Sequence, residues 1–374
     1  MRKILKMIGI IILSFIGLVV IVGLLFLNLS PEFGRTPSKE QKASFEKLDN
    51  YNDGKFINQS PSPMDINTFK VLREFLKNDP GRKPSKPIDV EKVDSLDIAQ
   101  NPGKPKLTWF GHSAFLLEMD GKNILIDPMF GDTPAPHPWL GTNRYSKELP
   151  ISIDKLPPID AVIISHDHYD HLDYGSIKKL KNKVSQFYMP LGVGNHLRKW
   201  GIDESKIHEL NWWESINFEG IELISCPSRH FSGRGVFDRG ATLWCSWVIV
   251  GKDQKIYFSG DSGYDDHFKE IGERYGPFDI ALMECGQYNE EWKYIHMMPE
   301  ESAQGAVDLK ANIAMPIHWG AFTLALHDWT DPVERFTSKA KELGLNTTTP
   351  KIGEPILLNP GVFPAEKWWE VYRN

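Results

Sequence analysis

Apolar residues are spaced along the chain in three different ways, and each spacing predicts a different kind of structure. From Met7 to Leu29 the run "MIGIIILSFIGLVVIVGLLFLNL" carries no charged side chain. As a helix at ~1.5 Å per residue it spans about 34 Å, enough for a hydrocarbon core of roughly 30 Å. Arg2, Lys3 and Lys6 precede it, and a positive flank stays on the cytoplasmic side. A cleaved signal peptide would need a shorter apolar region followed by small residues, which "LLFLNLSPEF" does not offer. The expectation is a cytoplasmic tip and single-pass membrane anchor over residues 1–30, uncleaved, with the rest of the chain extracytoplasmic.

Between Pro31 and Pro105 the pattern breaks up. "SPSPM", "NDPGRKPSKP" and "NPGKPK" are turn and loop signals. Only "MDINTFKVLREFLK" (64–77) has helical spacing. Residues 31–105 therefore read as a linker and N-terminal extension that lies over the body of the protein.

From Lys106 onward period-two alternation takes over. "LTWFGHSAFLLEMDGKNILIDPMF" predicts a β-hairpin turning at Asp120-Gly121. "INFEGIELISCP" and "ATLWCSWVIVGKDQKIYFSGD" predict two more, the latter turning at 251–253. Buried strands are expected at "IDAVIIS", "QFYMP", "FDIALME" and "IAMPIHW". Helices are expected at "DYGSIKKLKNK", "GVGNHLRKW", "GYDDHFKEIGERYG" and "PEESAQGAVDLK". Hairpins open each half and strand–helix alternation follows. That order suggests two mixed sheets packed face to face with helices outside, an α/β four-layer αββα sandwich over 106–374.

Charge and cysteine narrow the function classes. The formal net charge is −6, and the first thirty residues carry +3, which leaves −9 for the remainder. An acidic body argues against nucleic acid as the main partner. Cys226, Cys245 and Cys285 fit no zinc-ribbon or CxxC spacing and read as small core residues. Twelve tryptophans require a large core or an apolar groove. Nothing in the chain sets the oligomeric state, and a homodimer is compatible with it.

Four stretches place ligand-type residues just past a strand: "SHDHYDH" after "AVII", "SRHFSG" after "IELISCP", "SGDSG" after "KIYF" and "PIHWG" after "NIAM". Strand ends are where α/β sheets build their sites. Residues two apart in an extended segment project to the same side, so His166 and His168 can grip one metal ion. Asp170 and His171 follow at a turn and can face a second. His230, Asp261 and His318 can complete both shells. Such a nitrogen/oxygen set suits zinc, with iron or manganese as alternatives. Asp127 ends the strand "ILID" and is placed to orient a ligand histidine. His296, in "IHMMPEES", is a candidate phosphate contact or proton donor, and His112, in "FGHSAF", fits a place near the cleft as well as a core histidine. Phe130, Trp139, Leu140, Trp212, Trp213 and Phe322 lie in loops near the strand ends, where they can line an acyl groove or meet a bilayer.

"HDHYDH", a later lone histidine, "GD" and a late "IHWG" together resemble the metallo-β-lactamase fold superfamily. "WFGHSAFLLEMDGKNILIDPMF", "YNDGKFIN", "GDSGY", "HMMPEES" and "MPIHWGAF" resemble its branch of N-acyl-phosphatidylethanolamine-hydrolysing phospholipases D; the ascorbate-phosphate lactonase branch is a more distant cousin. The match runs over roughly 50–374. It implies an αββα sandwich with two zinc ions in one cleft: His166, His168 and His230 on one, Asp170, His171 and His318 on the other, Asp261 bridging. It further implies hydrolysis of membrane phospholipid to phosphatidate and N-acylethanolamine, with Asp261, His296 and Asp127 assisting. The apolar N-terminus departs from the peripheral animal enzymes. The alternatives are a hydrolase of a soluble phosphodiester or lactone, and a metal-binding envelope protein without turnover.

Overall fold

The structure is a computed structural model and describes residues 2–64, 66–77, 79–100, 104–359 and 361–373. The loop signal at 101–103 lies outside the described residues. The apolar N-terminal run is a single helix, Arg2–Leu29, long and apolar enough to cross a membrane. Its described side chains are almost all exposed, and near its end Phe26 packs on Phe33 and His137.

Two sheets carry the rest. One has eight strands, in the order Gly361–Val362, Pro355–Leu358, Lys106–Trp109, Phe115–Met119, Lys122–Ile126, Ile159–Ile163, Val184–Pro190 and Ile207–Leu210. The other has seven, in the order Asn346–Thr347, Ile313–Ile317, Ile280–Glu284, Lys255–Phe258, Ser246–Val250, Ile221–Cys226 and Ser215–Phe218. Each sheet is antiparallel in one half and parallel in the other, as hairpins followed by strand–helix alternation require. The first predicted hairpin turns at Asp120-Gly121, where both residues have positive φ, 53° and 75°, as a two-residue turn demands. The second and third hairpins are also present.

Alternation decides which core each strand residue enters. Phe115, Leu117, Ile124, Ile126, Ala161 and Ile163 face the second sheet and pack with Leu223, Trp247, Ile249 and Leu282. Their neighbours Leu116, Leu125 and Val162 face the other way, under the helices Tyr174–Leu180 and Gly194–Lys199. The helices His267–Arg274, Pro299–Asp308 and Asp331–Glu342 cover the second sheet. The protein is thus an αββα sandwich. The three cysteines are buried and free.

Three features differ from the sequence expectation. The third hairpin begins at Ser246, because residues 241–245 run as a loop that bonds across to the first sheet through Cys245 N–H and the Ser165 carbonyl. Pro355–Leu358 pairs with Lys106–Trp109 and extends the first sheet from the far end of the chain. The expected 64–77 helix is shorter, Thr68–Phe75. Five tryptophans (Trp109, Trp319, Trp329, Trp368 and Trp369) pack together beneath the C-terminal turn, and their indoles pile against one another at centroid distances of 5.5–6.4 Å.

The described residues between 31 and 105 lie against the sandwich at several points. Phe45, Tyr51 and Phe56 are buried in the main core and stack on one another. The segment leaving the first helix is bonded to the body at several points. Trp200 Nε1–H donates to the Pro31 carbonyl at 2.7 Å, Arg234 Nε–H to Glu32 at 2.9 Å, and Lys199 Nζ to Gly34 at 2.7 Å.

Candidate metal centre

The strand Ile159–Ile163 ends in the loop that holds His166, His168, Asp170 and His171. Its shape depends on Asp167, whose carboxylate accepts from Gly233 N–H at 2.8 Å and Thr242 Oγ1–H at 2.9 Å and lies 3.1 Å from His196 Nε2. Arg234 Nη1 donates to the carbonyls of Asp167 and Leu172, at 2.6 and 2.7 Å. Asp167 therefore points away from the cleft and braces the loop. Asp261 follows Gly260, which has φ 56°, and a Cβ there would come within 2.8 Å of the Cys245 carbonyl and of Ser165. Glycine is needed to bring the second sheet's carboxylate this close to the first sheet's loop.

The seven candidate ligands converge in two nests. In the first, His168 Nδ1 lies 2.9 Å from His166 Nε2 and 3.1 Å from His230 Nε2. Hydrogen bonds behind the rings settle where the protons sit. His230 Nδ1 is 2.8 Å from the Ile295 carbonyl and so carries the hydrogen. Ser165 Oγ donates to Asp127 at 2.5 Å, so its lone pair accepts from His166 Nδ1 at 3.0 Å. Both Nε2 lone pairs are left facing His168. Burial, reinforced by the crowding of the neighbouring rings, holds His166 and His230 well below the ordinary histidine range, and burial brings His168 down to about 4. Three neutral imidazoles aimed at one point are what a cation needs.

In the second nest, His171 Nε2 lies 3.1 Å from Asp261 Oδ1 and 3.6 Å from Asp170 Oδ2. His318 Nδ1 is 3.1 Å from the same Asp261 oxygen, and its Nε2 is 3.8 Å from Asp170 Oδ2. Asp127 Oδ2 accepts from His171 Nδ1–H at 2.7 Å, which frees Nε2. Asp261 divides its carboxylate between the nests. Oδ2 is 3.7 Å from both His166 Nε2 and His230 Nε2, while Oδ1 faces His171 and His318. Burial raises the Asp261 carboxyl to about 6 against the pull of His171.

These residues fit a metal. His171 Nε2 and Asp261 Oδ1 are fully buried and have no hydrogen-bond partner. Orphaned atoms of this kind are costly, and a cation satisfies them.

Other predicted residues fall around this centre. His296 Nδ1 donates to Glu284 Oε1 at 2.5 Å, and its ring lies 5.0 Å from His230 and 5.4 Å from His318. His112 stacks on His318 at 4.0 Å and places Nε2 2.8 Å from Asp170 Oδ2, so it belongs to the cleft. His112, Asp127 and His318 all adopt positive φ, at 56°, 39° and 67°. Backbone strain of this sort gathers at functional sites. Glu284 and Ser113 carried no signal in the sequence. Glu284 is the last residue of an apolar strand, and Ser113 Oγ sits 3.1 Å from His318 Nδ1.

The six loop residues near the strand ends separate. Phe130, Trp212 and Phe322 are buried, because each finds an apolar or aromatic partner beneath its loop. Trp213 is half-buried under the Arg274 guanidinium. Trp139 and Leu140 are exposed, at 73% and 50%. Beside the first nest, a groove of about 480 Å³ runs between the extension and the body, lined by Asn58, His230, Phe231, Trp244 and Ile295 among others. Asn58 holds its wall, donating to the His230 carbonyl at 2.8 Å and accepting from His230 N–H at 3.0 Å.

Comparison with known proteins agrees with this geometry. Residues 122–319 match the model of a family described as the beta-lactamase superfamily domain. An uncharacterized protein of Mycobacterium tuberculosis is 37% identical over 88% of this chain and 90% of its own length. N-acyl-phosphatidylethanolamine-hydrolyzing phospholipase D 1 of Caenorhabditis elegans is 32% identical over 74% of this chain and 82% of its own length. Among solved structures, an isothiocyanate hydrolase from Delia radicum gut bacteria superposes with a TM-score of 0.53 at 21% identity, over 70% of this chain and all of that one. With the αββα sandwich and the buried histidine–aspartate nests in place, the chain belongs to the metallo-β-lactamase superfamily and is a metal-dependent hydrolase.

Proposed function

We propose that this chain is a dizinc phosphodiesterase that hydrolyses N-acyl-phosphatidylethanolamine-type phospholipids to phosphatidate and N-acylethanolamine, anchored in a membrane by its first helix with the hydrolase domain on the extracytoplasmic side. The split carboxylate of Asp261, one oxygen toward each nest, carries the reading of two ions. The similarity to the nematode phospholipase D supports the substrate class. His166, His168 and His230 would hold one ion, and Asp170, His171 and His318 the other. Zinc bound there supplies Lewis acidity toward a phosphoryl group and lowers the pKa of water.

The chain's own residues account for the rest. Asp127 and Ser165 fix the ring orientations of His171 and His166, so the donor set is preorganised. Water adds to phosphorus in line, and the bond from phosphorus to the head-group oxygen breaks. That oxygen leaves poorly without a proton. His296, with Nδ1–H committed to Glu284, has Nε2 free to take up the proton that the attacking water releases and to pass it to that oxygen. His166, His171, His230, Asp261 and His318 are buried, while His168 and Asp170 are partly exposed on the open side of the nests.

The test is direct. Full-length protein in proteoliposomes containing N-acyl-phosphatidylethanolamine is incubated with zinc and the products are followed by mass spectrometry. Equal amounts of phosphatidate and N-acylethanolamine are expected, both abolished by chelator and by His168→Ala. Zinc-loaded protein that leaves this lipid untouched while cleaving a soluble phosphodiester or lactone refutes the lipid assignment.

A further inference from the structure

The helix Thr68–Phe75 and its cap expose Phe69, Leu72 and Leu76 at 56–79% on one face and Phe75 at 41%, while Val71 and Glu74 are only partly exposed. The loop tip after His230 exposes Val236 at 67% and Phe237 at 87%. The turn Pro138–Leu140 exposes Trp139 and Leu140. Soluble surfaces scatter such residues singly, whereas contiguous sets mark contact with a partner or a membrane.

Two of these places sit on loops that leave the same strand ends as metal-site residues, and the third is bonded to another such loop. Pro138–Leu140 follows the strand Lys122–Ile126, just past which Asp127 lies. The 231–240 loop follows His230, and Arg239 lies 3.7 Å over the Phe231 ring. The helix is pinned by Lys70 Nζ and Asn67 N–H to Glu291, in the loop leading to His296.

Two of the three also touch the point where the N-terminal helix meets the body. Phe26 packs on the His137 ring at 4.9 Å, Ser30 Oγ lies 3.0 Å from His137 Nε2, and His137 stacks on Trp139. Glu32 accepts from Arg234, two residues before Val236. The Met64 thioether packs against Arg239 and leads into the third element.

We infer that the two loop tips and the outer face of the Thr68–Phe75 helix dock into the bilayer interface beside the anchor, so that the rim of the metal cleft lies on the lipid surface. Continuity with the apolar helix selects a membrane as the occupant: the end of that helix is fixed by contacts to two of the three elements. A tryptophan beside aliphatic side chains, with Lys70, Arg73 and Lys77 flanking the third element, is the composition of an interfacial contact. The inference rests on the anchored reading above and says which face of the domain the lipid meets.

Nitroxide labels at Phe237→Cys, Leu72→Cys and Trp139→Cys, one at a time in the full-length protein, test it in phosphatidylcholine–phosphatidylethanolamine vesicles by power-saturation EPR. The three native cysteines are buried and do not compete for label. A label at Leu18→Cys reports the anchor separately. The expected result is a several-fold excess of oxygen over nickel-chelate accessibility at 72, 139 and 237. Aqueous values at these three sites overturn the inference, whether or not residue 18 reads lipid. An aqueous value at residue 18 refutes the anchor alone.

Discussion

His166, His168 and His230 meet as three neutral nitrogens, whereas His171 and His318 share their nest with Asp170 and have Asp127 and His112 behind them. The first nest is formed by burial and is backed by neutral oxygens, a serine hydroxyl and the Ile295 carbonyl. The second contains the Asp170 carboxylate, and its His171 is oriented by a charged hydrogen bond to Asp127, while His318 Nδ1 meets the Ser113 hydroxyl. A cation should be held more firmly where carboxylates face it, so the two ions should differ in how easily they are lost.

The largest effect should come from the residue that serves both nests. Asp261→Asn is expected to lower activity more than about 10³-fold, well beyond the ~10–100-fold typical of a partner one step removed from the metal. Metal analysis should show loss from both positions. His168→Ala and His171→Ala should each remove about one ion, and retention of two by either variant would break the assignment of nests. Asp127→Asn should cost about 10–100-fold in metal affinity, chiefly at the second nest, because it swaps the acceptor of His171 Nδ1–H for a neutral amide, whereas the first nest feels it only through Ser165. Equal loss from both nests in titrations with a chelator would erase the contrast.

A smaller effect concerns pH in metal-free protein. His168, from the first nest, and His112, from behind the second, both fold with a pKa of about 4, lowered chiefly by burial, against ~6.5 when unfolded. The unfolded chain therefore binds more protons between these values. Stability is fully present above pH ~6.5 and falls as pH drops toward ~4, by at most ~1.4 kcal/mol per pH unit for each group. Thermal melts of chelator-treated protein should show this slope, and His112→Gln should remove the share that His112 contributes. An unchanged slope would leave the acid sensitivity to the other buried histidines.

What was legible in the sequence follows the same division. The "HDHYDH" run is dense enough to announce itself, and Asp127, His230, Asp261 and His318 could be read because each ends a recognisable strand. Glu284 could not: it closes "IALME", a run that looks like any buried strand, and its use depends on His296 twelve residues later. His112 remained undecided, because nothing local says that its ring will stack on His318. The hairpins were legible from alternation and Gly-containing turns. The pairing of Pro355–Leu358 with Lys106–Trp109 was not, since register between segments so far apart is set by packing alone. Phe130, Trp212 and Phe322 looked available because loops are usually exposed, but large aromatics find cover where a core lies beneath.

The bonds that hold Pro31, Glu32 and Gly34 to the body turn what could be a leash into a stalk. A domain on a leash sweeps a hemisphere and can visit neighbouring surfaces. One on a stalk rotates about a single axis and meets only the lipids that drift past its own foot. In the anchored reading its turnover would then follow the two-dimensional density and lateral diffusion of substrate in one leaflet. Diluting the substrate lipid within the membrane should slow it, whereas diluting the vesicles in water should not.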